Sequence, residues 1–168
     1  MAEERLHELL TLAKQEKIEE IQRRYTLNKL AEIIKKYGVM VDNHDTSYPC
    51  SSRYSEWLED DNGDKIVFIK KKVVFEDVSE RLLNPGSDKS RDVIYIATDD
   101  KGRKYLVYEW ENGGWSVDTT WYNKTMWVVP LQPMKVRVVE RGMRVRCGPD
   151  GSAWPYGPEV VAEREFRL

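Results

Sequence analysis

From residue 65 to the C-terminus, no stretch of this chain keeps helical spacing of its apolar residues. Short β-branched and aromatic runs alternate with turn residues instead. This limits the fold strongly, because strands joined by short turns pair antiparallel, whereas parallel strands need long crossovers. The predicted strands cover 66–75, 93–98, 104–110, 115–120, 126–129, 134–140, 143–147 and 160–166. The turn signals between them are Asn84-Pro85-Gly86-Ser87, Asp99-Asp100-Lys101-Gly102, Glu111-Asn112-Gly113-Gly114 and Arg141-Gly142. Residues 148–158, rich in Gly and Pro, read as a loop. No internal repeat stands out.

The first 37 residues follow the other period. Leu6, Leu9, Leu10 and Ala13 recur at helical spacing, as do Ile18, Ile21 and Tyr25. The second set is rotated from the first by about a quarter turn. Either one helix bends there or its halves face different neighbours. A second helix is predicted at 27–37, with Thr26 as N-cap, a stripe of Leu27, Leu30, Ile33, Ile34 and Tyr37, and Gly38 as a left-handed C-cap. The fold class is therefore α+β: an N-terminal helical pair (1–37), an acidic loop and linker (38–64) with one short helical turn at 55–60, and an antiparallel sheet or small barrel (65–168).

Charge is unevenly spread. The total is −2 over 168 residues, so the chain as a whole offers no polycation to nucleic acid or lipid. Residues 38–64 nonetheless carry one basic and 7 acidic residues, and residues 131–148 carry 5 basic and one acidic. No apolar run approaches the ~18 residues of a membrane span. The charged start runs straight into the helical pattern, which predicts no signal peptide and a cytoplasmic location, with Cys50 and Cys147 as free thiols.

Signatures of chemistry are scarce. Gly-rich phosphate loops, a His-Glu-x-x-His zinc motif, a Cys-x-x-Cys pair and a serine elbow are all missing. Calcium loops fail where Leu58 and Ala97 stand in place of the required Asp. No cofactor is expected. Asp42, His44, Asp45 and Cys50 form one polar cluster. There an imidazolium could activate the thiol, or Asp42, His44 and Cys50 could ligate a metal, giving a small enzyme built on the 42–50 loop.

A basic hairpin is the sharper signal. With Arg141-Gly142 as a two-residue turn, alternation puts Lys135, Arg137, Arg144 and Arg146 on one face and Val136, Val138, Met143 and Val145 on the other. Arg137 and Arg146 would then face each other, an unfavourable pairing that needs a compensating anion. A phosphate backbone would supply it, with Trp115, Trp121, Tyr122 and Trp154 available to stack on bases. Glu163 and Glu165, on one face of the last strand, would supply it equally well.

Leu6, Leu10, Ile18 and Ile21, rotated between two patches, predict a subunit contact through residues 1–25 in a symmetric dimer. Trp154 and Tyr156, in a Gly/Pro loop, are candidate interface anchors. Leu27, Leu30, Ala31, Glu32, Gly38 and Val39, followed by 54–58 and a β pair, resemble a winged-helix DNA-binding module over residues 26–75 at most. The 38–49 stretch is long for that module's turn, and the would-be recognition segment is acidic. The leading expectation is a non-catalytic binding protein that takes nucleic acid on Lys135, Arg137, Arg144 and Arg146. The alternative is a protein-interaction or assembly module, with no membrane partner in either case.

Overall fold

The computed structural model describes residues 2–47, 52–82, 84, 86–116, 119–145, 153–155 and 157–167, with only backbone described at 2, 47, 52, 143–145 and 153–155. Three helices come first: α1 (Ala2–Lys14), α2 (Ile18–Arg24) and α3 (Leu27–Tyr37). Thr26 caps α3, its hydroxyl accepting the Lys29 N–H at 3.2 Å. The expected pair becomes three because the first helix stops at residue 14. The Lys17 N–H reaches back to the Leu12 carbonyl and the Glu16 N–H to Ala13, both at 3.0 Å. These are the two bonds of a Schellman closure. Glu16 takes its left-handed position, at φ 54°. This break accounts for the rotation between the two apolar sets. Gly38 is extended (φ −83°) rather than left-handed. A Cβ there would lie 2.6 Å from the Ile34 carbonyl, so close packing explains the glycine.

Among the described residues nine strands follow: β1 (Val39–Ser47), β2 (Ser52–Asp60), β3 (Phe68–Leu82), β4 (Ser87–Asp99), β5 (Lys104–Trp115), β6 (Thr120–Pro130), β7 (Met134–Val145), β8 (Ala153–Pro155) and β9 (Glu159–Phe166). They form one antiparallel sheet in the order β3-β4-β5-β6-β1-β2-β7-β8, with β9 also on β7. The sheet is open rather than a closed barrel, because no ladder joins its β3 end to its β8 and β9 end.

Three expectations are corrected. Residues 39–47 and 52–60 are not loop and helical turn but strands β1 and β2, so the winged-helix resemblance loses its recognition helix: 54–58 lies within β2. Their polar side chains are satisfied both across strands and along β2. Thr125 donates to Asp42 at 2.8 Å, and Tyr54 donates to Glu56 at 2.6 Å. Tertiary pairing thus overrides the poor strand preference of Asp and Asn. Glu111–Gly114 is not a turn; it continues β5, which stays paired with β6 as far as Trp115 opposite Thr120. Arg141-Gly142 is not a turn either. β7 runs through it, paired with β2 from Val136 opposite Asp60 to Arg144 opposite Ser52. The basic hairpin therefore does not form.

The sheet carries a core on each face. On one, Ile94, Ile96, Leu106, Tyr108 and Val129 pack with Leu9, Leu10, Ala13, Ile21, Leu30 and Ile34 of the helices. On the other, Val93, Tyr95, Val107 and Val128 pack with Leu58, Val136, Val138 and Phe166. Strands β4 and β7 stand five steps apart in the sheet order. A shared core therefore requires the sheet to coil until its β2–β7–β9 part covers β4–β6. The bend lies at β1, which pairs with β6 along its whole length but with β2 only over 43–46. Beyond that, the Glu56 carboxylate takes the Asp42 N–H at 2.8 Å.

Two equivalent turns close one end of this coil. Residues 60–65 read Asp-Asp-Asn-Gly-Asp-Lys and residues 99–104 read Asp-Asp-Lys-Gly-Arg-Lys. In each, the first Asp accepts two N–H groups of its own turn: Asp60 from Asn62 and Asp64, Asp99 from Lys101 and Arg103. Each turn also has its Gly at positive φ, 81° and 79°. The turns are tied together by Lys101 to Asp60 at 3.1 Å and to Asp64 at 2.8 Å, and by Arg103 to Asp60 at 3.2 Å.

Candidate functional site

At the far end from those turns, the outer halves of β3–β6 leave both cores. Their register sets Val78 beside Arg91, Glu111 and Lys124, and Glu80 beside Lys89, Gly113 and Tyr122. These two rows lie on the face away from the helices, and a groove of about 520 Å³ runs over them. Gly113 and Gly114 are strand residues here because aromatic rings lie against them. A Cβ at 113 would stand 3.4 Å from the Tyr122 ring, and one at 114 would stand 2.5 Å from the Trp121 ring on the opposite face.

The groove floor is charged but internally neutralised. Arg91 lies 3.3 Å from Glu76, 3.7 Å from Glu111 and 3.9 Å from Glu109. Lys124 meets Glu109 at 2.9 Å, and Lys89 meets Glu80 at 3.7 Å. The Tyr122 hydroxyl donates to Glu111 at 3.0 Å. Burial, then that bond to an anion, pushes the phenol up to about 12. What remains open is apolar and aromatic: Val78 is 58% exposed, Trp115 48% and Tyr122 43%, with Leu82 at 82% on the same face of β3.

The wall of this groove is the edge of the sheet. Among the described residues β3 pairs with β4 alone over its 15 residues. Its first half is blunted in the ways edge strands usually are. It carries Lys70, Lys71 and Lys72, has register shifts at 68/70 and 73/75, and gives its Val74 carbonyl to Gln22 of α2 at 2.8 Å. Its second half has neither lysines nor a register shift, although Glu76, Asp77, Glu80 and Arg81 lie along it. From Phe75 to Leu82 the pairing with β4 is regular.

The residues singled out from sequence are placed as follows. Glu163 lies opposite Arg137 and binds it at 3.0 Å and Lys135 at 2.5 Å. The Lys135 hydrogen bond, then that of Arg137, holds the Glu163 carboxyl below its ordinary range. Arg144 lies opposite Trp154 in the β7–β8 ladder. Arg146, Tyr156, Cys50 and Cys147 lie outside the described residues. Leu10 and Ile21 are buried in the core beneath the helices, and the half-buried Leu6 and Ile18 pack against it. His44 stacks on Tyr54 at 4.8 Å, with its Nδ1 3.6 Å from Asp42. Among the described residues no three His, Cys, Asp or Glu side chains converge as a metal set. Also among them, no helix is long and apolar enough to cross a membrane. Trp115 and Tyr122 of the groove are base-stacking candidates in the sequence. Val78, Leu82 and the edge itself do not stand out there, whereas Lys70-Lys71-Lys72, three lysines within the predicted strand 66–75, read from sequence as protection of an edge.

Compared with protein-family models, with curated proteins and with solved structures, the chain matches none.

Proposed function

We propose that this protein is a non-catalytic binding module that captures an extended polypeptide segment along the free half of β3. The observation that carries this is the coincidence, on one edge, of a stretch in regular register and a groove whose open surface is apolar. A segment added to a sheet edge gains affinity from main-chain hydrogen bonds and specificity from alternate side chains entering a groove. Val78, Trp115 and Tyr122 line the groove and are positioned to receive such side chains, with Leu82 exposed further along β3. Nucleic acid fits less well. The groove's cations are spent on Glu76, Glu80, Glu109 and Glu111, and Glu163 occupies Lys135 and Arg137. Phosphate binding depends on free cations.

Random-peptide display on the immobilised protein tests the reading. It should select segments with alternating apolar residues. Their binding should be lost in Val78→Lys, a variant whose circular dichroism stays that of the parent. Selected peptides that bind Val78→Lys as well as the parent would overturn it.

A further inference from the structure

Taking the β3 edge as the docking element, we infer that the segment it captures is β3 of a second copy, in a two-fold dimer whose axis passes through Ser79. Three independent features of the edge converge on this partner and this register.

The first is charge. Among the charged residues of this half-strand, Glu76 is held by Arg91 and Glu80 by Lys89. Asp77 and Arg81 are left without an ionic partner among the described residues. Both lie on the helix-bearing face, in register with Asp92 and Asp88. An antiparallel two-fold pairing sets residues of the same face opposite each other. Centred on Asp77 or Glu80, it puts a carboxylate against its own copy. Centred on Val78, it puts Glu76 against Glu80. Centred on Ser79, it puts Asp77 against Arg81 of the second copy, and by symmetry does so twice. Opposite charges directly across a ladder stabilise it and like charges destabilise it. Arg81 already stands across the β3–β4 ladder from Asp88, so this axis gives Arg81 a second carboxylate and gives Asp77, which stands across from Asp92, an opposite charge.

The second feature is apolar area. In the Ser79 register, Val78 lies diagonal to Val78 and Leu82 of the second copy, within reach across the ladder. These are among the most exposed large apolar residues of the chain, at 58% and 82%. The two grooves would then adjoin across the axis.

The third is length. Gln22 already occupies the Val74 carbonyl, so a docked strand has to end before it. Pairing about Ser79 matches 76 with 82 at each end and stops short of Val74. An isologous contact of this kind closes on itself and does not propagate into fibres.

Light scattering and sedimentation on the full chain provide the test. The parent should double its mass with rising concentration. Asp77→Arg and Arg81→Asp should each be folded by circular dichroism, and each should associate roughly tenfold or more weakly, since each turns two attractive pairs into repulsive ones. Mixing the two variants should restore the dimer. The first variant is basic at both positions and the second acidic at both, so every pair across the axis is again one of opposite charge. The double variant should dimerise alone. A parent that stays monomeric at every concentration, single variants that associate like the parent, or a mixture that fails to associate would each overturn the inference. If the parent is monomeric yet Val78-dependent peptide capture persists, the edge still docks a segment, but that segment is not a second copy. If both are absent, the docking reading falls with it.

Discussion

Lys101 Nζ lies 3.1 Å from the Asp60 carboxylate, an ion pair between residues 41 apart in sequence that bridges the two turns. It joins the β2–β3 connection to the β4–β5 connection and so holds the coil of the sheet at one end. Asp60 is 1% exposed and also serves two N–H groups of its own turn and the Arg103 guanidinium. Replacing it by Ala strands those donors. The expected cost is ~2–4 kcal/mol, read from the urea midpoint. Lys101→Met removes only a half-exposed partner and should shift the midpoint far less.

The same carboxylate sets an acid limit. Burial pushes Asp60 up. The Asp64 N–H, the Lys101 ammonium, the Arg103 guanidinium and the Asn62 N–H outweigh that and bring it from 3.8 to about 2. A carboxyl depressed in the folded state contributes stability above its unfolded value and loses it as pH falls towards the folded one. About 2 kcal/mol should therefore be lost as pH falls from 4 to 2. Urea unfolding of the parent and of Asp60→Asn across that window tests this. The variant should show the shallower pH dependence.

The left-handed Glu16 makes a third prediction. Its carboxylate pairs with Lys72 at 3.1 Å and Lys104 at 3.7 Å. Glu16→Gly should relieve about 1 kcal/mol of backbone strain while losing two partly exposed ion pairs of about the same total worth, leaving stability nearly unchanged. Glu16→Gln keeps the strain, loses the charge and should be the less stable of the two. Equal unfolding midpoints for the two variants would contradict this.

The pairing of Glu163 with Lys135 and Arg137 has a consequence for polyanions. In Glu163→Gln the two cations are released on the β7 face, and retention on a single-stranded oligonucleotide column at low salt should rise above that of the parent. A parent retained as strongly as the variant, with steep salt dependence, would favour nucleic acid as the ligand.

Helix α3, its Thr26 cap and the antiparallel pairing were legible in the sequence, because each depends on near neighbours. The opposition of Glu163 to the basic strand was also legible, as one of two ways to neutralise it. Glycines misled. Gly113, Gly114 and Gly142 look like turn residues, but they lie within strands, beside or opposite the rings of Tyr122, Trp121 and Tyr54. Only the register of distant strands reveals that role. Strands β1 and β2 were hidden by their Asp, Asn and Ser content, since their satisfaction comes from Thr125 and Glu56 on other strands. The helix break at Glu16 lacks the glycine that would announce it. The docking edge was half visible in Lys70–Lys72. The unpartnered state of Asp77 and Arg81 depends on which strand lies next to them.

Strands β4 and β5 pass from an end buried on both faces, at 93–97 and 105–109, to an end that is largely half-exposed, at 87–92 and 110–115. One continuous ladder therefore spans two regimes of solvent access. Amide protons in the first end should exchange only when the whole domain opens, and those in the second through local fraying. The free half of β3 belongs to the fraying end. Whatever occupies it should slow exchange there selectively, leaving a protection footprint that marks the occupied edge without any need to identify the occupant.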